Sequence, residues 1–136
     1  AHDRGAGVLD LMRLWTEAAD WLARLRVKAA DVQAPVRSLS GGNQQRVVLA
    51  RWLARGPRVL VLNGPSVGVD VGSKAEIHGI IAGLAAEGLG VIVISDDLPE
   101  LLATCHRILV MKAGRVTEAI AGGGVTEADL AHRLAS

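Results

Sequence analysis

"SLSGGNQQRVVLARWLA", residues 38–54, decides how this chain is read. A serine and two glycines stand directly before a run with apolar residues at helical spacing. Glycines at the mouth of a helix let another surface come close to the backbone. The first amides of a helix lack intrahelical partners and the positive end of its dipole lies there, so such a mouth favours an anion. Ser40 adds a hydroxyl, and Gln44 and Gln45 add side-chain amides. A Ser-Gly-Gly string by itself reads first as a capped helix with a flexible opening.

Outward from this stretch, the composition is that of a folded α/β domain. Of the 136 residues, 50% are hydrophobic and 21% charged, which sets the chain apart from disordered sequences. The chain has no Phe and no Tyr, and its aromatics are Trp15, Trp21 and Trp52, so the core must come from Val, Leu, Ile and Ala. The formal net charge of +1, with both signs interspersed, gives no polybasic tract for nucleic acid. A single cysteine, Cys105, can form no internal disulfide and no paired-thiol metal site. The apolar run Val91-Ile92-Val93-Ile94 is far short of the roughly 20 residues a membrane span needs. "AHDRGAGVLD" has no apolar segment of the signal-peptide kind.

Periodicity supplies the elements. Residues 1–7 read as a frayed terminus. Leu11, Leu14, Trp15, Ala18, Leu22 and Leu25 predict an amphipathic helix over Val8–Val27. The helix of the opening stretch is expected over Gly42–Ala54, with Val47, Val48, Ala50, Arg51 and Leu53 forming its stripe. Val59–Leu62 and "VIVIS" after Gly90 read as buried parallel strands. Between them Ser73 and Glu76 form a capping box, and the helix Lys74–Glu87 stops at Gly88. A short helix over Pro99–Thr104, a strand over Arg107–Met111, a "KAGR" turn and a strand over Val116–Ile120 follow. Gly122–Gly124 reads as a flexible joint, and "TEADLAHRLA" as a last helix capped by Thr126. The pattern is α/β: a mostly parallel sheet with flanking helices, closed by a β-hairpin and a small helix.

The full string "LSGGNQQR" with "VVLARWLA" resembles the signature helix of ATP-binding-cassette (ABC) transporter ATPases. The "NQQ" form is similar to the second cassette of ribose- and galactose-type importers. "VLVLNGPSVGVDVGSKAEIHGIIAGLAAEG" resembles the family's Walker B strand, D-loop and following helix. "VIVISDDLPELLATCHRILVMKAGRV" resembles its switch region and terminal hairpin, and "TEAADWLARLRVK" the end of its helical subdomain. The likeness covers about residues 15–134. It implies one partial, truncated P-loop-NTPase-like cassette without the Walker A strand. Residues 8–37 would end the helical subdomain, 38–55 form the signature helix, 56–121 the C-terminal part of the core, and 122–136 a last helix. It further implies that Ser40, Gly41, Gly42 and Gln44 contact the γ-phosphate of ATP held by a second cassette bearing a Walker A motif. Asp70 matches the D-loop aspartate that crosses to that cassette, and reads equally as an Asp turn before a helix. Membrane subunits of a carbohydrate importer would be further partners, placing the chain at the inner face of the cell membrane through a permease.

The departures bear on catalysis. No Gly-x-x-x-x-Gly-Lys-Ser/Thr loop occurs in the chain, so nothing in it cradles a nucleotide of its own. The Walker B position reads Asn63-Gly64-Pro65 where the family has Asp-Glu-Pro. A neutral Asn63 holds Mg²⁺ more weakly than a carboxylate, so Mg²⁺ is expected only through the partner. Gly64 offers no base, and losing a base costs roughly 10²- to 10⁴-fold in rate. Asp96 stands where the family has its switch histidine. His2, His78, His106 and His132 have no metal or triad spacing, and structural roles are expected for them. The implied function is the ATP-binding component of a carbohydrate importer that does not hydrolyse ATP alone. A working ATPase subunit completed by another polypeptide and a non-functional remnant are the alternatives. In the family the phosphate-loop strand lies between the strands matching "VIVIS" and "RILVM", so without it their edges would stand open or close on each other. Marginal stability is expected of the isolated chain.

Overall fold

A computed structural model describes residues 11–135. The expected frayed terminus at residues 1–7, the helix start at Val8 and His2 lie outside the described residues. The chain divides into two compact units, one up to Gly56 and one from Pro57.

In the first unit, α1 (Leu11–Arg24) and α2 (Gly41–Leu53) pack on each other. A short 3₁₀ turn at Val36–Ser38 precedes α2. Among the described residues of the α1 stripe, Leu25 at its C-terminal end is enclosed, whereas Leu14 and Trp15 are exposed. Burial concentrates where the chain turns back, with Arg26 in the left-handed region at φ 53°. There the buried Arg46 donates from Nη1 to the Arg26 carbonyl at 2.7 Å, and the Lys28 amide donates to Asn43 Oδ1 at 2.8 Å. The buried face of α2 is Gly42, Arg46, Leu49, Ala50 and Leu53, and Val48 and Arg51 point to solvent. That corrects the stripe expected from the sequence. An arginine takes a core position because its guanidinium closes the preceding loop.

The second unit holds β1 (Val59–Asn63), α3 (Val71–Ala86), β2 (Gly90–Ile94), α4 (Leu98–Thr104), β3 (Arg107–Lys112), β4 (Arg115–Ala121) and α5 (Glu127–Ala135). β1 and β2 pair in parallel, from Val59 opposite Gly90 to Asn63 opposite Ile94. β3 and β4 form a separate antiparallel ribbon. The α/β reading holds, but the expected mostly parallel sheet is two pieces. The turn at Ala113 and Gly114, with φ 47° and 76°, folds β4 straight back along β3. Among the described residues no strand joins β2 to β3, so each keeps an open edge.

The strands are also less buried than their composition predicts. Leu60 and Leu62 face a covered side of the parallel pair, with α3 packed against β2. On the other side Val59 and Val61 are each 57% exposed, Ile92 53% and Ile94 52%. Parallel strands are ordinarily covered on both faces, and this pair is covered on one. Ile77, Ile81 and Leu84 supply the buried face of α3. A second cluster joins Ile108, Val110, Ile120 and Leu130, with Leu98, Leu101 and the half-buried Cys105 against it.

Capping sets the helix limits. α3 begins at Val71, not Lys74, and its cap is Asp70. Asp70 Oδ1 accepts from the Ser73 amide at 2.9 Å and Oδ2 from the Ser73 hydroxyl at 2.7 Å, so Ser73 lies inside the first turn. This replaces the expected Ser73–Glu76 box, because the helix starts three residues earlier and Asp70 satisfies the Ser73 amide of its first turn. At the other end Leu89 donates to Leu84 at 3.1 Å and Gly88 to Ala85 at 3.0 Å, with Gly88 at φ 97°. That glycine-closed stop is the one read from the sequence. Thr126 caps α5 as expected, its hydroxyl accepting from the Asp129 amide at 3.2 Å while Asp129 Oδ2 takes the Thr126 amide at 3.1 Å.

Candidate functional site

The mouth of α2 is open. Ser40 is extended at φ −61° and ψ 156° and marks the cap. The first helical bond is Gln44 N–H to the Ser40 carbonyl at 2.9 Å, so the amides of Gly41, Gly42 and Asn43 stand ahead of it. Ser40 and Gly41 are exposed. Ser40 Oγ makes no bond to the helix amides and accepts from Asn43 Nδ2 at 2.9 Å. Gly42 is buried, and Gln44 turns back, donating from Nε2 to the Leu39 carbonyl at 2.8 Å. Of the four residues singled out here, Ser40 and Gly41 face outward, whereas Gly42 and Gln44 shape the helix beneath them.

In the second unit the C-terminal ends of β1 and β2 border a cavity of about 460 Å³. Ligands of parallel sheets lie beyond these strand ends. Asn63, Gly64 and Asp96 all line it. Asn63 and Asp96 are exposed. Gly64 has φ +57°, and a Cβ there would stand 2.8 Å from Val67 Cγ2, so the position admits no side chain without a shift. Its amide donates to the Ile94 carbonyl at 2.8 Å, carrying the pairing one residue past β1.

Beneath the cavity lies a group that sequence reasoning missed. Glu100, on α4, is 2% exposed. Its Oε1 lies 3.1 Å from His78 Nε2 on α3, and its Oε2 accepts from the Ser95 hydroxyl. The buried Ser66 hydroxyl also bonds to it. Burial pushes this carboxyl upward, but the hydrogen bonds from Ser66, Ser95 and His78 outweigh it and hold the group below its usual range. One turn away Lys74 Nζ meets Asp97 Oδ2 at 2.8 Å, which raises the lysine and lowers the aspartate. Asp97 also caps α4, accepting from the Glu100 amide at 3.1 Å. The signals were the Asp97-x-x-Glu100 spacing and the Lys74/His78 pair four apart on α3. Nothing local links the two. Among the described residues no trio of His, Cys, Asp or Glu is placed to hold a metal ion.

Asp70 lies outside this cavity's lining, exposed, with both carboxylate oxygens held by Ser73. The Ser73 amide and hydroxyl hold it below the usual carboxylate range. A depressed carboxyl stabilises above its unfolded pKa and loses that contribution as pH falls through the folded one. Asp70→Ala is therefore expected to lower Tm by a few degrees at neutral pH and by less in acid, with Asp70→Ser keeping most of the loss at bay. Thermal denaturation at both pH values checks it.

Comparison with known proteins places the chain. A family model described as ABC transporter matches residues 6–67. A ribose import ATP-binding protein of Streptomyces avermitilis is 51% identical over 122 residues, 90% of this chain. The chain belongs to the ABC transporter family. A ribose import ATP-binding protein of Rhodococcus jostii is 52% identical over 99 residues, 73% of the chain. Among solved structures, a dimeric bacterial ABC transporter cassette matches with TM-score 0.70 and 27% identity, covering 90% of this chain and 52% of that one. The same scores are found for a cassette in a post-hydrolysis state bound to ADP and Pi. This ABC chain spans 24% of the length of the Streptomyces relative and about half of the solved cassettes.

Proposed function

We propose that the chain is part of the ATP-binding component of an ABC-type carbohydrate importer and lends the mouth of α2 to ATP held by a second cassette. The observation that carries this reading is the exposed Ser40 and Gly41 ahead of three helix amides that precede the first helical bond. Amides and a hydroxyl fixed in this way suit a terminal phosphate. The identity to ribose import ATP-binding proteins favours a sugar system. In this reading residues 8–37 end a helical subdomain, 38–55 are the signature helix, 56–121 belong to the core and 122–136 form a last helix. Asp70 caps α3 and, being exposed, is also free to meet the second cassette. Gly42 and Gln44 shape the phosphate site from beneath.

Turnover by the chain alone is not expected. The sequence has no phosphate-loop lysine, Gly64 has no side chain, and Asn63 is neutral. Mg²⁺ would arrive with the nucleotide held by the second cassette. Membrane attachment would come through permease subunits. No described helix is long and apolar enough to cross a membrane.

The test pairs the chain with a ribose-importer cassette that carries a phosphate loop. Stimulated ATP turnover is expected, falling at least roughly tenfold with Ser40→Arg. Turnover by the chain alone would overturn this reading. Absence of any stimulation would leave the remnant reading.

A further inference from the structure

The sequence contains two asparagines, and the structure treats them differently. Asn43 sits in α2 with its side chain tied at both ends, to the Lys28 amide and to Ser40 Oγ, and is followed by Gln44. Asn63 ends β1 with an exposed side chain and is followed by Gly64. Glycine has no Cβ to crowd its own nitrogen. That nitrogen is held in place by its bond to the Ile94 carbonyl at 2.8 Å, and Asn63 is held extended by pairing with Ile94.

We propose that Asn63–Gly64 is a site of spontaneous deamidation, gated by opening of the Gly64–Ile94 hydrogen bond. Once that bond opens, the Gly64 nitrogen gives up its proton to solvent and attacks Asn63 Cγ. A nitrogen–carbon bond closes a five-membered succinimide, the side-chain carbon–nitrogen bond breaks, and ammonia leaves carrying the proton returned by solvent. Water then opens the ring at either carbonyl. The product at position 63 is aspartate or isoaspartate, and the sum is one water consumed and one ammonia released.

The consequence falls on the strand-end cavity. Asp96, Asp97 and Glu100 already border it, and Lys74 is paired with Asp97. The reaction adds a further carboxylate at the rim and takes the formal net charge from +1 to 0. The isoaspartate product lengthens the main chain where Asn63 pairs with Ile94, and so breaks the end of the β1–β2 ladder. The proposal concerns this chain's own covalent stability and holds whatever nucleotide it meets.

The experiment incubates the whole chain at mildly alkaline pH, in buffer and in urea, and follows each asparagine by peptide mass and isoaspartate elution. Asn63 is expected to convert at least roughly tenfold faster in urea, because the folded state must first open locally. Asn43 is expected to lag in urea, where only the following residue distinguishes the two. Asn63→Gln should remove the acidic charge shift. Equal Asn63 rates in buffer and urea would overturn the gate. Asn43 keeping pace with Asn63 in urea, or Asn63 staying intact there, would overturn the site.

Discussion

Gly122→Ala is expected to destabilise the second unit by about 3 kcal/mol, the upper part of the range for forcing atoms into filled space. A Cβ at Gly122 would stand 2.1 Å from the Cys105 carbonyl oxygen and 3.3 Å from its carbon. The obstacle is backbone, so no side chain can swing aside. Nor can the chain back away cheaply, because the Gly122 amide donates to the His106 carbonyl at 2.9 Å. The glycine triplet read from the sequence as a flexible joint is in fact a 3₁₀ turn, and its first residue is pinned between the end of α4 and the start of β3. Gly123→Ala is the control. Nothing lies within 4 Å of a Cβ there, and a change within roughly 0.5 kcal/mol is expected. Equal urea midpoints for the two variants would mean the close approach does not exist.

Glu100→Gln is expected to cost about 3 kcal/mol at neutral pH. The substitution keeps the shape and replaces an acceptor-only group by one whose nitrogen faces donors. Ser66, Ser95 and His78 each lose a charged acceptor, and Ser66 is itself buried. Hydrogen bonds to charged groups contribute more than neutral ones, and buried donors left unpaired cost their desolvation. The pH dependence separates this from a mere packing defect. The folded-state pKa of Glu100 lies below the ordinary value of 4.5. Its contribution is therefore complete above that value and disappears as pH falls through the folded pKa. The difference between wild type and Glu100→Gln should shrink in acid. Urea titrations at neutral and acid pH measure it, and a pH-independent difference would show that the charge has no part in the stabilisation.

The legible parts of this fold were the local ones. The stop of α3 at Gly88, the "KAGR" turn and the Thr126 cap each depend on a few adjacent residues, and each stands where the sequence put it. Cap identity was less legible, since Asp70 and Ser73 are both good capping residues and only the backbone path chooses between them. Strand pairing was not legible, because Val91–Ile94 reads as buried whether one face or two is covered. Of the candidate site, Asn63, Gly64 and Asp96 drew notice in the sequence only through a resemblance, and they share one cavity. Glu100 was hidden because its partners at 66, 78 and 95 lie on three other segments. The need for glycine at 122 was hidden for a similar reason, its neighbour being 17 positions back along the chain.

The two strand pairs close loops of very different size. β3 and β4 meet across Ala113 and Gly114, whereas β1 and β2 meet only after α3 has bridged Asn63 to Gly90. Loop-closure entropy rises with the length spanned, and nearby contacts form on faster timescales than distant ones. In renaturation the ribbon would therefore nucleate ahead of the parallel pair, and substitutions at Ala113 or Gly114 would slow the early phase while leaving the later one to α3.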